Sequence, residues 1–174
     1  DGVFYPGQSI SGTYTFESTT QDSDARAYVG NYQGAITNYS VSIGSYSLIQ
    51  QSGFNTVFID YQPESGSELY ESISNVTGLP VNGLNPYQFD ILLYAQNLSP
   101  LNSDELLLVP PDLNLFDRNT DWILTFDQPY LLQGTITSLY LIEAVPLPAS
   151  IWLFGSGLIG LVGVSRKKLV RRVS

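Results

Sequence analysis

The sequence predicts an all-β fold, an antiparallel β-sandwich of jelly-roll type, followed by a single C-terminal transmembrane helix. Three observations predict it. Short apolar runs alternate with polar residues at period two through residues 1–143, the mark of strands with one wet face. Gly, Pro, Asn and Ser separate these runs at the short intervals of a sandwich or barrel. Between residues 149 and 165 nothing is charged, and a basic cluster follows.

In chain order, residues 8–17 alternate first, with Ile10, Tyr14 and Phe16 on one face and Ser9, Ser11, Thr13 and Thr15 on the other. Tyr39, Val41 and Ile43 repeat the pattern up to Gly44, where a turn or bulge is expected. Residues 55–61 give a third strand, with Val57, Ile59 and Tyr61 opposite Phe58. Pro63-Glu64-Ser65-Gly66 reads as a turn into residues 68–73. Further runs lie at 87–94, 105–109, 122–126 and 134–142; residues 104–109 and 69–73 also fit a helical turn. No internal repeat is found.

Charge and composition exclude several chemistries. All sixteen acidic residues precede Val145, opposed there only by Arg26 and Arg118, so residues 1–143 carry a net −14. Such a surface argues against nucleic-acid or anionic-lipid binding through this domain. The chain has no histidine and no cysteine, and its lysines lie only in the basic tail. Ser-His-Asp and Cys-His nucleophiles, a Schiff-base lysine and the usual zinc ligands are thereby removed. A carboxylate pair for glycan cleavage is the one remaining option. The expectation is a protein that is not an enzyme, with no cofactor and no resident metal.

Two weaker features stand beside this reading. Asp22-Ser23-Asp24 in a polar loop has the oxygen ligands for calcium but lacks the glycine and distant glutamate of an EF-hand; the alternative is a solvated acidic turn. All twelve tyrosines fall before residue 145, some at core-like strand positions. Tyr28 and Tyr32, beside glycines in a loop-like stretch, are the better candidates for an exposed stacking surface.

The C-terminal segment has three parts in fixed order. Val145-Pro146-Leu147-Pro148-Ala149 is proline-punctuated, which holds it extended and readable by a peptide-binding cleft; a rigid spacer is the other reading. Residues 149–165 form the apolar run, roughly 25 Å long as a helix against a hydrocarbon core of about 30 Å. Arg166, Lys167, Lys168, Arg171 and Arg172 then act as a stop-transfer cluster and place the C-terminus on the cytoplasmic side, with residues 1–143 outside. Ser156, Gly157, Gly160 and Gly163 form a small-residue face suited to another helix or to plain lipid contact. No export signal is visible from Asp1, so one is expected upstream.

The order VPLPA, WLFGSGLIGLVGV, RKK resembles the PEP-CTERM sorting signal, in its VPLPA variant, of exported proteins in Gram-negative bacteria. The resemblance covers residues 144–174 and divides the chain into a 1–143 extracellular domain and a sorting signal. It implies handling by an exosortase, a membrane-embedded cysteine transpeptidase, acting around Pro146-Leu147-Pro148. It implies an inner-membrane precursor, then the cell surface or matrix, with exopolysaccharide and biofilm as the setting. The function expected is a structural or adhesive component. Alternatives are a carbohydrate-binding or carboxylate-dependent glycan-cleaving module, or a permanently anchored single-pass protein. Self-association through strand edges is also open to a tyrosine-rich, cysteine-free strand domain.

Overall fold

The computed structural model describes residues 3–142. Within them run β1 (Ile10–Phe16), β2 (Val29–Gln33), β3 (Ile36–Ile43), β4 (Tyr46–Gln62), β5 (Ser67–Gly78), β6 (Pro86–Ala95), β7 (Asn119–Phe126) and β8 (Leu131–Thr135). The one helical element among the described residues is a 3₁₀ turn at Leu113–Leu115. All strand pairs are antiparallel, along the path β1-β3-β4-β5-β6-β7-β8, with β2 beside β4. The strands belong to one compact unit, Asp1–Leu141.

The architecture is a single curled sheet, where a jelly-roll sandwich of two separate sheets was expected. The reason lies in β4, whose 17 residues serve two sets of partners. Its first part pairs with β3 through Tyr46–Ile49, and its second with β2 through Thr56–Asp60. Between them the register against β5 shifts from Gln50 to Asn55, around Gly53 at φ 139, a conformation that side chains other than glycine's rarely adopt. β5 follows both parts, so the hydrogen-bonded ladder bends without breaking.

The curl brings distant strands face to face. Tyr39 of β3 packs on Phe89 of β6 with ring centroids 5.6 Å apart, and Phe89 stacks on Trp122 of β7 at 5.9 Å. Leu48, Val57, Ile59, Val76, Leu93 and Leu124 fill the concave side and are fully buried. Burial of this kind is the main favourable term in the fold. The loop between β6 and β7 closes one end, with Leu101 and Phe116 in the core.

Several expectations meet their structures directly. Ile10, Tyr14 and Phe16 do share the core-facing side of β1, and Val57, Ile59 and Tyr61 lie opposite Phe58 on β4. Residues 68–73 are strand, not helical turn. Residues 105–109 are irregular loop: Leu106 and Leu107 pack on the core, while Leu108 and Val109 face solvent. The run 134–142 pairs only as far as Thr135, although Ile136 and Leu139 still pack on the core. The stretch read as a loop at residues 28–32 is largely β2. The proposed transmembrane run lies outside the described residues, among which no helix is long and apolar enough to cross a membrane.

Candidate functional site

Val145, Pro146, Leu147, Pro148 and Ala149, the small face Ser156, Gly157, Gly160 and Gly163, and the basic residues Arg166, Lys167, Lys168, Arg171 and Arg172 all lie outside the described residues. The chemistry that the structure does place belongs to carboxylates and tyrosines.

Asp22 and Asp24 have other work than a shared cation. Asp22 Oδ1 accepts from the N–H of Asp24 at 2.9 Å and from that of Asn31 at 2.8 Å. Asp24 accepts from the backbone N–H of Arg26 and receives its guanidinium at 2.6–2.9 Å. Those hydrogen bonds hold the Asp24 carboxyl down at about 2. The two aspartates build the loop and tie it to β2. Among the described residues no three His, Cys, Asp or Glu side chains are grouped to hold a metal ion.

The outer, convex face of the sheet carries a second set. Cross-strand register puts Glu71 opposite Leu92 and Ile73 opposite Asp90, so Glu71 and Asp90 are diagonal neighbours on that face. Asp90 is only 5% exposed, hemmed by its strand neighbours, and both its oxygens accept from the Gln88 amide at 2.9 Å. Burial pushes its carboxyl up to about 6. Burial first, and then the Asp90 charge, raises Glu71 as well. A raised carboxyl can hold or give a proton near neutrality. Neither carboxylate borders the depression of about 450 Å³ lined by Thr37, Asn38, Ile49, Gln50, Gln51 and Ser52.

Glu68 is buried completely on the concave side. Its Oε1 accepts from the Ser99 hydroxyl at 2.5 Å and its Oε2 from the Leu101 N–H at 2.8 Å, which pins the β6–β7 loop. Neither Glu68 nor Asp90 stands out in the sequence as a site residue. Asp90 was detectable in principle, as the one charge inside Phe89-Asp90-Ile91-Leu92-Leu93; Glu68 gave no such sign.

Of the two tyrosines expected to be exposed, Tyr28 is, and it meets Tyr61 edge-on at 6.1 Å. Tyr32 is buried: β2 turns it into the core, where its hydroxyl donates to the Asp104 carbonyl at 2.8 Å. Three other tyrosines have their backbone next to Phe126 or to one of its neighbours. Tyr130 accepts its N–H, Tyr87 follows its strand partner Pro86, and Tyr5 follows Phe4, which packs on its ring at 6.5 Å. Tyr5, Tyr87 and Tyr130 are 51–62% exposed.

Comparison with known proteins bears on the C-terminal segment. A family model described as the PEP-CTERM protein-sorting motif matches residues 144–167. No curated protein and no solved structure matches the chain. The chain therefore carries a PEP-CTERM sorting motif directly after its folded unit, the mark of an exported protein that an exosortase sorts from a membrane-anchored precursor.

Proposed function

We propose that this chain is a surface or extracellular-matrix protein with a structural or adhesive role, delivered by a disposable membrane helix over residues 149–165. The observation that carries this reading is the sorting motif at residues 144–167. Val145 to Ala149 is the segment the exosortase reads, and the following run with its basic cluster holds the precursor in the inner membrane, C-terminus inside. In this reading the domain is not catalytic: without histidine or cysteine its acid–base chemistry would fall on carboxylates such as Glu71 and Asp90, and neither lines the depression beside Thr37 and Gln50 where a substrate could sit. The exopolysaccharide of a biofilm matrix is the setting that suits a strongly acidic, disulfide-free β-domain.

Mass spectrometry of the exported form tests it. The expected C-terminus falls near residues 145–149, and matrix-located protein still ending at Ser174 would overturn the reading in favour of a permanent anchor.

A carbohydrate-binding role is the second reading, and the tyrosines around Phe126 favour it. Tyr5, Tyr87 and Tyr130 offer rigid faces with hydroxyls at one end of the sheet. Binding of the exported polysaccharide that falls when Tyr87 and Tyr130 are both replaced by alanine would support it; no binding by the unaltered protein would remove it.

A further inference from the structure

The outer sides of β1, β2 and β8 have no neighbouring strand among the described residues. The fold treats these three edges differently. On β2, the bonds Tyr61 N–H to Tyr28 and Gly34 N–H to Asn55 set the phase of the ladder, so Val29, Asn31 and Gln33 direct their backbone groups outward. The Asn31 N–H is taken by Asp22, its carbonyl by both the N–H and the hydroxyl of Ser23, and the Val29 N–H by the Arg26 carbonyl. An acidic loop thus covers this edge.

Among the described residues β1 and β8 have no such cover. On β1, Gly44 N–H to Ser9 sets the phase, which leaves the N–H and carbonyl groups of Ile10, Gly12 and Tyr14 pointing away from β3. On β8, Phe126 N–H to Tyr130 and Ile136 N–H to Thr120 leave those of Leu131, Gln133 and Thr135 pointing away from β7. No backbone or side-chain group among the described residues bonds to any of them. Exposed edges in soluble proteins are ordinarily blocked by charge, proline or a covering segment. Here residues 8–16 and 131–142 hold no charged residue and no proline, in a domain with sixteen acidic residues.

These two edges lie at opposite ends of the strand path, and pairing one edge with a different edge of the next copy builds a head-to-tail assembly. Net charge repels copies approaching through other surfaces, while the neutral edges admit each other. We propose that copies of this chain join β1 of one to β8 of the next, extending one sheet through an open-ended series. Main-chain hydrogen bonds supply the attraction, as in strand addition generally. The inference rests on strand geometry and holds whether or not the chain is sorted.

The absence of native cysteine makes a cross-linking test specific. The full chain in detergent micelles, carrying Thr13→Cys on β1 with Gln133→Cys on β8, is treated with a short bis-maleimide and run under denaturing conditions. A ladder of trimers and longer species is expected. Each single-cysteine variant should give about tenfold less cross-linked product, as should Asn31→Cys on the covered β2 edge combined with Gln133→Cys. Monomer alone, equal dimers from a single-cysteine variant, or an equal ladder from the Asn31 pair would each overturn the proposal. Adding Gln133→Pro to a chain with Thr13→Cys and Thr135→Cys removes an outward N–H and should collapse the ladder about tenfold; the side-chain bond from Gln133 to Asp121 goes with it, but Gln133→Cys loses that bond too and keeps its ladder. Far-UV circular dichroism of that variant shows whether its fold persists; if the proline unfolds it, the proline-free pairs alone decide between the two outcomes.

Discussion

The hydroxyls of Tyr14 and Tyr70 share a hydrogen bond of 2.8 Å inside the curled sheet, although β1 and β5 are not neighbours in it. The bond crosses the concave side and ties the first strand to the centre of the fold. Tyr70 is 3% exposed and Tyr14 is half-buried, so the two partners are not equivalent. Burial raises both phenols, Tyr70 well above the ordinary value, and keeps them neutral. Tyr14→Phe leaves the buried Tyr70 hydroxyl without a partner and should cost about 1–3 kcal/mol. Tyr70→Phe should cost less, and the double variant less than the sum of the two. Urea midpoints measure all three; strict additivity would mean the bond contributes nothing.

Glu68 should matter to the loop more than to the strands. Glu68→Ala strands the Ser99 hydroxyl and the Leu101 N–H, at a cost of about 2–3 kcal/mol. Hydrogen exchange should quicken first at Leu101 and the neighbouring loop amides. Uniform loss of protection across β5 and β6 would point to strand damage instead.

Asp90 gives the fold a pH dependence of definite sign. Its carboxyl holds a proton more tightly in the folded chain, at about 6, than at the ordinary 3.8 of the unfolded one. This group therefore favours folding fully below pH 3.8 and loses that contribution as the pH rises through about 6. Asp90→Asn should be more stable than the parent by up to about 3 kcal/mol at pH 8, with the gap closing toward acid pH. A difference that stays constant from pH 4 to 8 would exclude the assignment.

Asp22 is expected to act as an edge cover. Asp22→Ala should speed exchange of the Asn31 amide about tenfold and cost about 1 kcal/mol of stability. Added calcium should change neither value in the parent, since Asp22 Oδ1 and both Asp24 oxygens are already engaged. Calcium-dependent protection of this loop would restore the cation reading.

For the sorting reading, replacing Pro146 and Pro148 together by alanine should reduce release about tenfold and leave precursor with its C-terminus intact. On that reading the exosortase recognises a proline-restricted segment, and alanine removes the restriction that proline places on the residue before it. Immunoblots of membrane and medium fractions report the outcome. Undiminished release would remove the motif from the mechanism.

Much of the strand pattern was legible because a half-buried strand writes its burial at period two. Ile10, Tyr14 and Phe16 show this on β1, and Val57, Ile59 and Tyr61 on β4. Tyr32 departs from its expected place because Gly30 and Gly34 beside it look like loop punctuation, although Gly30 lies within β2 and Gly34 follows its end. Residues 105–109 depart likewise because a run of leucines can pack from an irregular loop as well as from a strand. The carboxylates were illegible as a set: Glu68, Glu71 and Asp90 differ in fate because of what lies across the strand, which periodicity does not record.

Local sequence by itself determined the all-β class, the acidic character of the domain and the sorting motif at residues 144–167, because each is written in neighbouring residues. Tertiary structure decided the rest. A bend at Gly53 made one curled sheet instead of two, register set Asp90 diagonal to Glu71, and an acidic loop covered β2 while β1 and β8 have no cover among the described residues. The physical reason is that pairing, burial and edge exposure are relations between strands far apart in the chain, and they exist only once the ladder has closed.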